Sequence, residues 1–261
     1  MSYKYNVGTH AISQAQINLA VANGFTNGTL GAGAANQPAT SITWYQAAAF
    51  VNWLNTSQGY AAAYKLDAGA TAMTLWQPTD AGYNASNLYR NANAHYFLPS
   101  EDEWYKAGYY DPPTNGGAGG YWQYATGSNA APAAVASGTA AGKAVYNQPA
   151  VQGPAAVNNA GGLSPYGTMA QSGNVYEWQE GAYDGDNNAA SENRAFRNGP
   201  WGSNEGFLQS SFRGQISGLS PASSGAAVGF RVASFPEPSC ILLVFGSGLM
   251  FLARRRRRSS L

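Results

Sequence analysis

This chain is short of the residues that most often carry chemistry. Its 261 residues include one cysteine and two histidines, and charged residues make up 10% of it. An average soluble domain is roughly 25% charged. The cysteine, Cys240, lies close to the C-terminus. Residues 1–234 therefore form no internal disulfide, offer no thiol nucleophile and bind no metal through thiolate. They are numerous enough to fold on a hydrophobic core alone. His10 and His95 are too few for a three-histidine metal site. The cations are also unevenly placed. The whole chain has 14 Lys+Arg against 13 Asp+Glu, but five of those cations are Arg254–Arg258, which leaves 9 against 13, or −4, for the rest. A mildly acidic body without a basic stripe argues against nucleic acid as a partner. Finally, Met1–Asn6 contains no apolar segment of the kind that forms the centre of a signal peptide.

What the chain does have is most distinctive at its C-terminal end. Phe235-Pro236-Glu237-Pro238 precedes an apolar run from Cys240 to Ala253, and Arg254, Arg255, Arg256, Arg257 and Arg258 follow it. The prolines set the run off from the domain before it, and the arginines cannot follow an apolar helix into a bilayer. About 14 apolar residues rise roughly 21 Å as a helix, short of the roughly 30 Å hydrocarbon core. Arginines snorkelling at one end extend that reach. The order Pro-Glu-Pro, short apolar helix, arginine cluster resembles the PEP-CTERM sorting signal of Gram-negative bacteria. That resemblance implies an exosortase-type sorting enzyme as partner, a membrane tether and export. Such a signal needs a leader, so a start upstream of Met1, or a fragment, is the expected resolution.

Three segments carry helix-start signals. Ser13-Gln14-Ala15-Gln16 and Thr43-Trp44-Tyr45-Gln46 have the capping-box form, and Ser100-Glu101-Asp102-Glu103 adds carboxylates in the first turn. After Thr43, the residues Trp44, Ala47, Ala48, Val51 and Leu54 fall at helical spacing and predict a buried stripe. Trp104 and Ala107 are expected to face the core in the third helix. Asn174–Trp178, Ala195–Gly199 and Gly229–Ala233 are strand candidates. Asp111-Pro112-Pro113-Thr114-Asn115-Gly116-Gly117 is a breaker cluster, and Ala125–Gly162 reads as long loops. The expected class is α+β and loop-rich, with a domain over 1–234 and the tail over 235–261.

Four motifs occur in a fixed order: Ser41–Leu54; Phe97-Leu98-Pro99-Ser100-Glu101-Asp102-Glu103-Trp104; Tyr166-Gly167-Thr168-Met169 running into Gly173-Asn174-Val175-Tyr176-Glu177-Trp178; and Arg197-Asn198-Gly199-Pro200-Trp201-Gly202, closed by Gly229-Phe230-Arg231-Val232. Together they resemble the sulfatase-modifying-factor family, whose type is the formylglycine-generating-enzyme domain. The resemblance covers about residues 7 to 234 and implies a variant of the C-type lectin fold. Formylglycine-generating members hold copper with two cysteines five positions apart. Alignment on Ser211-Phe212-Arg213 puts those positions near Asn204 and Gln209. Amides do not replace thiolates as Cu(I) ligands, so copper and formylglycine-generating oxidase activity are not expected.

Other branches of the family use non-haem iron held by histidines. Here only His10 and His95 could serve, and a structural role is the competing reading for each. The resemblance also implies calcium, held by backbone carbonyls near Ser172, Gly173 and Val175 with the carboxylate of Glu177. An ion pair from Glu177 to Arg197 or Arg231 is the alternative. A second calcium position near Asn147 and Gln148 lacks its aspartate. Glu101, Asp102 and Glu103 read as helix-start carboxylates before they read as acid catalysts. Asp184-Gly185-Asp186-Asn187-Asn188 reads as a surface turn. Tyr109, Tyr110, Tyr121, Trp122 and Tyr124 could stack on sugar rings or belong to the core. The leading expectation is an exported, non-catalytic binding or structural protein of the cell envelope, with exopolysaccharide as one ligand class. It would lie on the periplasmic side of the inner membrane, or at the cell surface after C-terminal processing. The alternative is a non-haem-iron oxidase of the same superfamily.

Overall fold

Each expected helix starts on a complete capping box. Ser13, Thr43 and Ser100 accept from the backbone N–H three residues on, while Gln16, Gln46 and Glu103 reach back to the cap backbone. This satisfies orphan donors at both ends of the first turn. The helices are α1 (Gln14–Ala22), α2 (Trp44–Thr56) and α3 (Glu101–Tyr109). The computed structural model describes residues 6–27, 33–214 and 218–236. The tail signal, from Glu237 and Pro238 through Cys240 to Arg254–Arg258, lies outside these residues. Among the described residues no helix is long and apolar enough to cross a membrane.

The strands are short. In chain order they are β1 (Asn6–Val7), β2 (Lys65–Leu66), β3 (Met73–Thr74), β4 (Tyr96–Phe97), β5 (Tyr110–Asp111), β6 (Gly120–Tyr121), β7 (Ala133–Ala134), β8 (Lys143–Ala144), β9 (Tyr176–Ala182), β10 (Arg194–Arg197), β11 (Val228–Gly229) and β12 (Ala233–Ser234). Two three-stranded sheets organise the rest. In the first, β12 lies between β1 and β4, antiparallel to both, so the two ends of the domain are tied together. In the second, β9 is flanked by antiparallel β10 and parallel β11, with Arg197 opposite Glu177 and Gly229 opposite Glu177 on the other side. The strand candidates are thus found with shifted edges, and Gly229–Ala233 is divided between the two sheets.

α2 packs its apolar face into the main core. Trp44, Ala47, Ala48 and Val51 are fully buried and Leu54 packs on the cluster from its edge. Two tryptophans lock α2 to β9 reciprocally: Trp44 Nε1 donates to the Gln179 carbonyl at 2.9 Å, and Trp178 Nε1 donates to the Ile42 carbonyl at 3.1 Å. Each large ring thus buries its apolar body while its one donor is satisfied. Trp104 and Ala107 of α3 are buried, as their spacing predicts. In α1 only Ile17 and Ala20 are buried, while Leu19 and Val21 face outward. Residues 125–162 run mostly as loops and carry their own small cluster of Val145, Ala155 and Ala160 against Met169 and Ala170.

Candidate functional site

The positions to which the resemblance assigns paired thiols lie after β10. Asn204 caps a 3-10 turn, Glu205–Leu208, its Oδ1 accepting from Gly206 N at 3.0 Å. Gln209 bridges to Tyr124 through the backbone, and its Nε2 donates to the Tyr124 hydroxyl at 3.3 Å. Both amides serve as local scaffold. The next residues are held by α3. Arg213 Nε donates to both oxygens of Glu101, at 2.7 and 2.8 Å. Arg197 donates to Glu101 Oε1 at 2.8 Å and to the carbonyls of Ser210 and Phe212. Burial pulls the Glu101 carboxyl upward, but the bond from Arg213 and the fields of Arg197 and Arg213 outweigh it and hold the group below its usual range. The helix-start carboxylates are therefore structural anchors: Glu101 fixes the 197–213 segment, and Glu103 both caps α3 and pairs with Arg90.

Beneath this lies a buried ion pair. Arg231 Nε donates to Glu177 Oε2 at 2.5 Å and Arg231 Nη2 to Oε1 at 2.6 Å, and both side chains are fully buried. Trp104 Nε1 adds a third donor to Glu177 at 2.6 Å. Of the two arginines open as partners, Glu177 takes Arg231. Arg231 also donates to the carbonyls of Gly8 and Met169, joining both ends of the domain to the segment before β9.

Two of the backbone carbonyls expected to face calcium, those of Gly173 and Val175, have another partner. Asn198 Nδ2 lies 2.7 Å from the Ala170 oxygen, 2.6 Å from that of Gly173 and 2.9 Å from that of Val175. The Ser172 hydroxyl accepts from Ala125 N. With Glu177 engaged by Arg231 and the Gly173 and Val175 carbonyls by Asn198, these groups do not fit a cation at that point. At the second expected position, Asn147 N donates to Ser203 and Gln148 N to Trp201.

The histidines stand apart from these groups. His95 stacks on Tyr60, with ring centroids 4.6 Å apart. His10 is held below its ordinary pKa by burial and by the Arg231 cation. Among the described residues no three His, Cys, Asp or Glu side chains are grouped to hold a metal. Asp184 to Asn188 forms a surface turn, in which Asp184 accepts from Asp186 N.

Of two further arrangements, one has no local signal in the sequence and the other only part of one. Glu180, at the far end of β9, receives Arg90 through Nε at 2.6 Å and Nη2 at 2.7 Å, together with the Tyr64 hydroxyl and Asn87. The other is a cleft of about 590 Å³ beside α3, lined by Asp102, Tyr105, Lys106, Tyr121, Tyr166 and Thr168. Tyr121 is 53% and Tyr166 48% exposed, while Tyr109 and Tyr124 belong to the interior. Tyr110 and Tyr166 stack at 6.2 Å, and Tyr121 lies 5.2 Å from Tyr105 and 5.0 Å from Tyr110. Burial raises the Tyr121 and Tyr166 phenols above their ordinary value, and a phenol is a hydroxyl donor at neutral pH even without that shift.

The profile of the Sulfatase-modifying factor enzyme 1-like domain matches residues 7–235. No curated protein matches significantly. Among solved structures, Treponema denticola variable protein 1 is 21% identical with a TM-score of 0.57, over 89% of this chain and 84% of that one. CarF is 20% identical with a TM-score of 0.59, over 89% and 87%. PvdO from Pseudomonas aeruginosa is 15% identical with a TM-score of 0.55, over 89% and 80%. At such identities the likeness is one of fold, and it has the mixed helix and strand content described above. The match across nearly the whole described chain settles the family: this chain belongs to the Sulfatase-modifying factor enzyme 1-like (FGE-sulfatase) family.

Proposed function

We propose that this chain is a non-catalytic binding protein of the cell envelope, built on a formylglycine-generating-enzyme-like domain of the C-type-lectin kind. The observation that carries the reading is the fate of the two thiol positions. Asn204 and Gln209 stand there, and each is tied into the scaffold by its own hydrogen bonds. Neither supplies a thiolate for Cu(I) or for sulfur redox chemistry. Glu101, Glu103, Glu177 and Glu180, the carboxylates otherwise placed to act as acids or bases, are all engaged by arginines.

The tyrosine-lined cleft beside α3 is the ligand surface of this reading. Flat phenol faces beside hydroxyl, carboxylate and ammonium groups suit the alternating apolar faces and hydroxyls of a sugar chain. A polysaccharide of the envelope is the ligand class. The tail acts as a PEP-CTERM signal. Pro236-Glu237-Pro238 marks the junction handled by an exosortase, Cys240–Ala253 enters the bilayer, and Arg254–Arg258 stay on the cytoplasmic side. The domain then lies on the periplasmic face of the inner membrane, or outside the cell once the tail is processed.

The test uses the full chain. It is analysed for bound copper and iron, assayed for oxygen consumption with thiol peptides, and titrated calorimetrically with exopolysaccharide. Binding without turnover is the expected result. Stoichiometric transition metal together with turnover sinks the reading.

A further inference from the structure

Asn198 follows β10 directly and has a φ of 77°. Asparagine tolerates this left-handed conformation better than most residues. The side chain points inward, and the residue is 1% exposed. Four backbone groups from one short segment meet it there. Besides the three carbonyls on Nδ2, the Gly173 N–H donates to Oδ1 at 2.6 Å. The segment is shaped for this convergence. Ala170, Gly173 and Asn174 all have positive φ, at 64°, 114° and 73°. Such conformations persist only where their surroundings hold them.

Three carbonyl oxygens aimed at one point form the partly negative ring that a hard cation accepts. Here the point is occupied by an NH₂ group. Its two hydrogens serve three acceptors, so one is shared. The nitrogen–oxygen separations are ordinary hydrogen-bond lengths. Charge agrees with this. Calcium sites draw on carboxylates, and Glu177, the only acidic residue between 170 and 178, is neutralised by fully buried Arg231.

We propose that the Asn198 amide is a built-in substitute for the calcium ion expected at this position. The chain carries its own fixed donor where a metal-dependent relative would recruit a cation. The turn before β9 is therefore set at all calcium concentrations, and folding is not linked to metal supply.

Two substitutions separate the roles of the side chain. Asn198→Gly keeps the positive φ free of strain and removes only the amide, leaving buried carbonyls unpaired. Asn198→Asp keeps the shape but turns an oxygen toward three oxygens. Melting of the full chain is followed by circular dichroism in EDTA and in excess calcium, with bound calcium counted by mass spectrometry. The wild type is expected to hold no calcium and to melt at the same temperature in both. In EDTA, Asn198→Gly is expected to melt about 5–10 °C lower, the loss of a cluster of buried hydrogen bonds in a domain of this size, and Asn198→Asp lower still. Calcium is expected to raise Asn198→Asp, whose new carboxylate joins the three carbonyls, and to leave the wild type and Asn198→Gly where they are. Should neither variant fold, the wild-type arm decides alone. Stoichiometric calcium on the wild type, or a melting temperature that falls on chelation, overturns the proposal. So does an Asn198→Gly variant as stable as the wild type in EDTA.

Discussion

Replacing Arg231 with methionine removes the one cation that neutralises Glu177. The pair is fully buried, and the arginine makes two bonds to the carboxylate, at 2.5 and 2.6 Å, with further bonds to the Gly8 and Met169 carbonyls at 2.9 and 3.0 Å. Methionine fills much of the same volume and satisfies none of these groups. Breaking a buried pair while its charge stays in place costs roughly 3–5 kcal/mol. For a domain of this length each kcal/mol moves Tm by about 2–4 °C, so a fall of about 6–20 °C is expected. Removing both charges, in Glu177→Gln with Arg231→Met, leaves no charge at this point, and a glutamine oxygen can still accept from Trp104. The double variant is expected to lie well above the sum of the two single losses, with a coupling of about 2–3 kcal/mol. Urea unfolding followed by tryptophan fluorescence measures all three variants on one scale. An Arg231→Met loss below about 1 kcal/mol, or strictly additive single losses, refutes the view that this pair fixes the segment before β9.

Further outcomes are equally specific. Gly173→Ala places a methyl group 2.4 Å from the Val145 carbonyl oxygen at a φ of +114°, and a loss of at least about 2 kcal/mol in the unfolding free energy from urea titration is expected. Acid stability should follow Glu101. Its folded pKa lies below its ordinary 4.5, so its contribution is complete above that value and is lost as pH falls through the folded pKa. Glu101→Gln is expected to shrink the difference between neutral and acid melting temperatures. His10 acts from the other side. Burial and Arg231 depress its pKa below 6.5, so the unfolded chain takes up the proton first and stability declines as pH drops below 6.5. His10→Asn removes that part of the decline. The combined Tyr121→Ala and Tyr166→Ala change is expected to abolish retention on polysaccharide in affinity electrophoresis while leaving the melting curve nearly in place, since both rings are about half exposed.

Local signals were legible in the sequence and long-range ones were not. The capping boxes at Ser13, Thr43 and Ser100 act within three residues, so the helix starts could be read directly. The stripe on α2 was visible for the same reason. The strand expected from Asn174 begins instead at Tyr176, because the preceding turn gives its carbonyls to Asn198, some 25 residues downstream. Gly229–Ala233 is not one strand, because Arg231 turns inward between β11 and β12 to reach Glu177. No local pattern marks Arg90, since its partners lie 13 and 90 residues away. The cleft was half legible. The aromatic cluster stood out, but only the packing divides Tyr109 and Tyr124 in the interior from Tyr121 at the surface. That residues 1–234 contain no cysteine needed no structure at all, since the sequence places the one cysteine at position 240.

On the reading proposed above, this family scaffold binds without catalysing. The most direct measurement is a Cu(I) competition titration of the full chain against a chromogenic chelator, run alongside oxygen uptake with a cysteine-containing peptide. The chelator is expected to keep all the copper, with no oxygen consumed. One equivalent of copper withheld by the protein, with steady oxygen uptake, contradicts that reading.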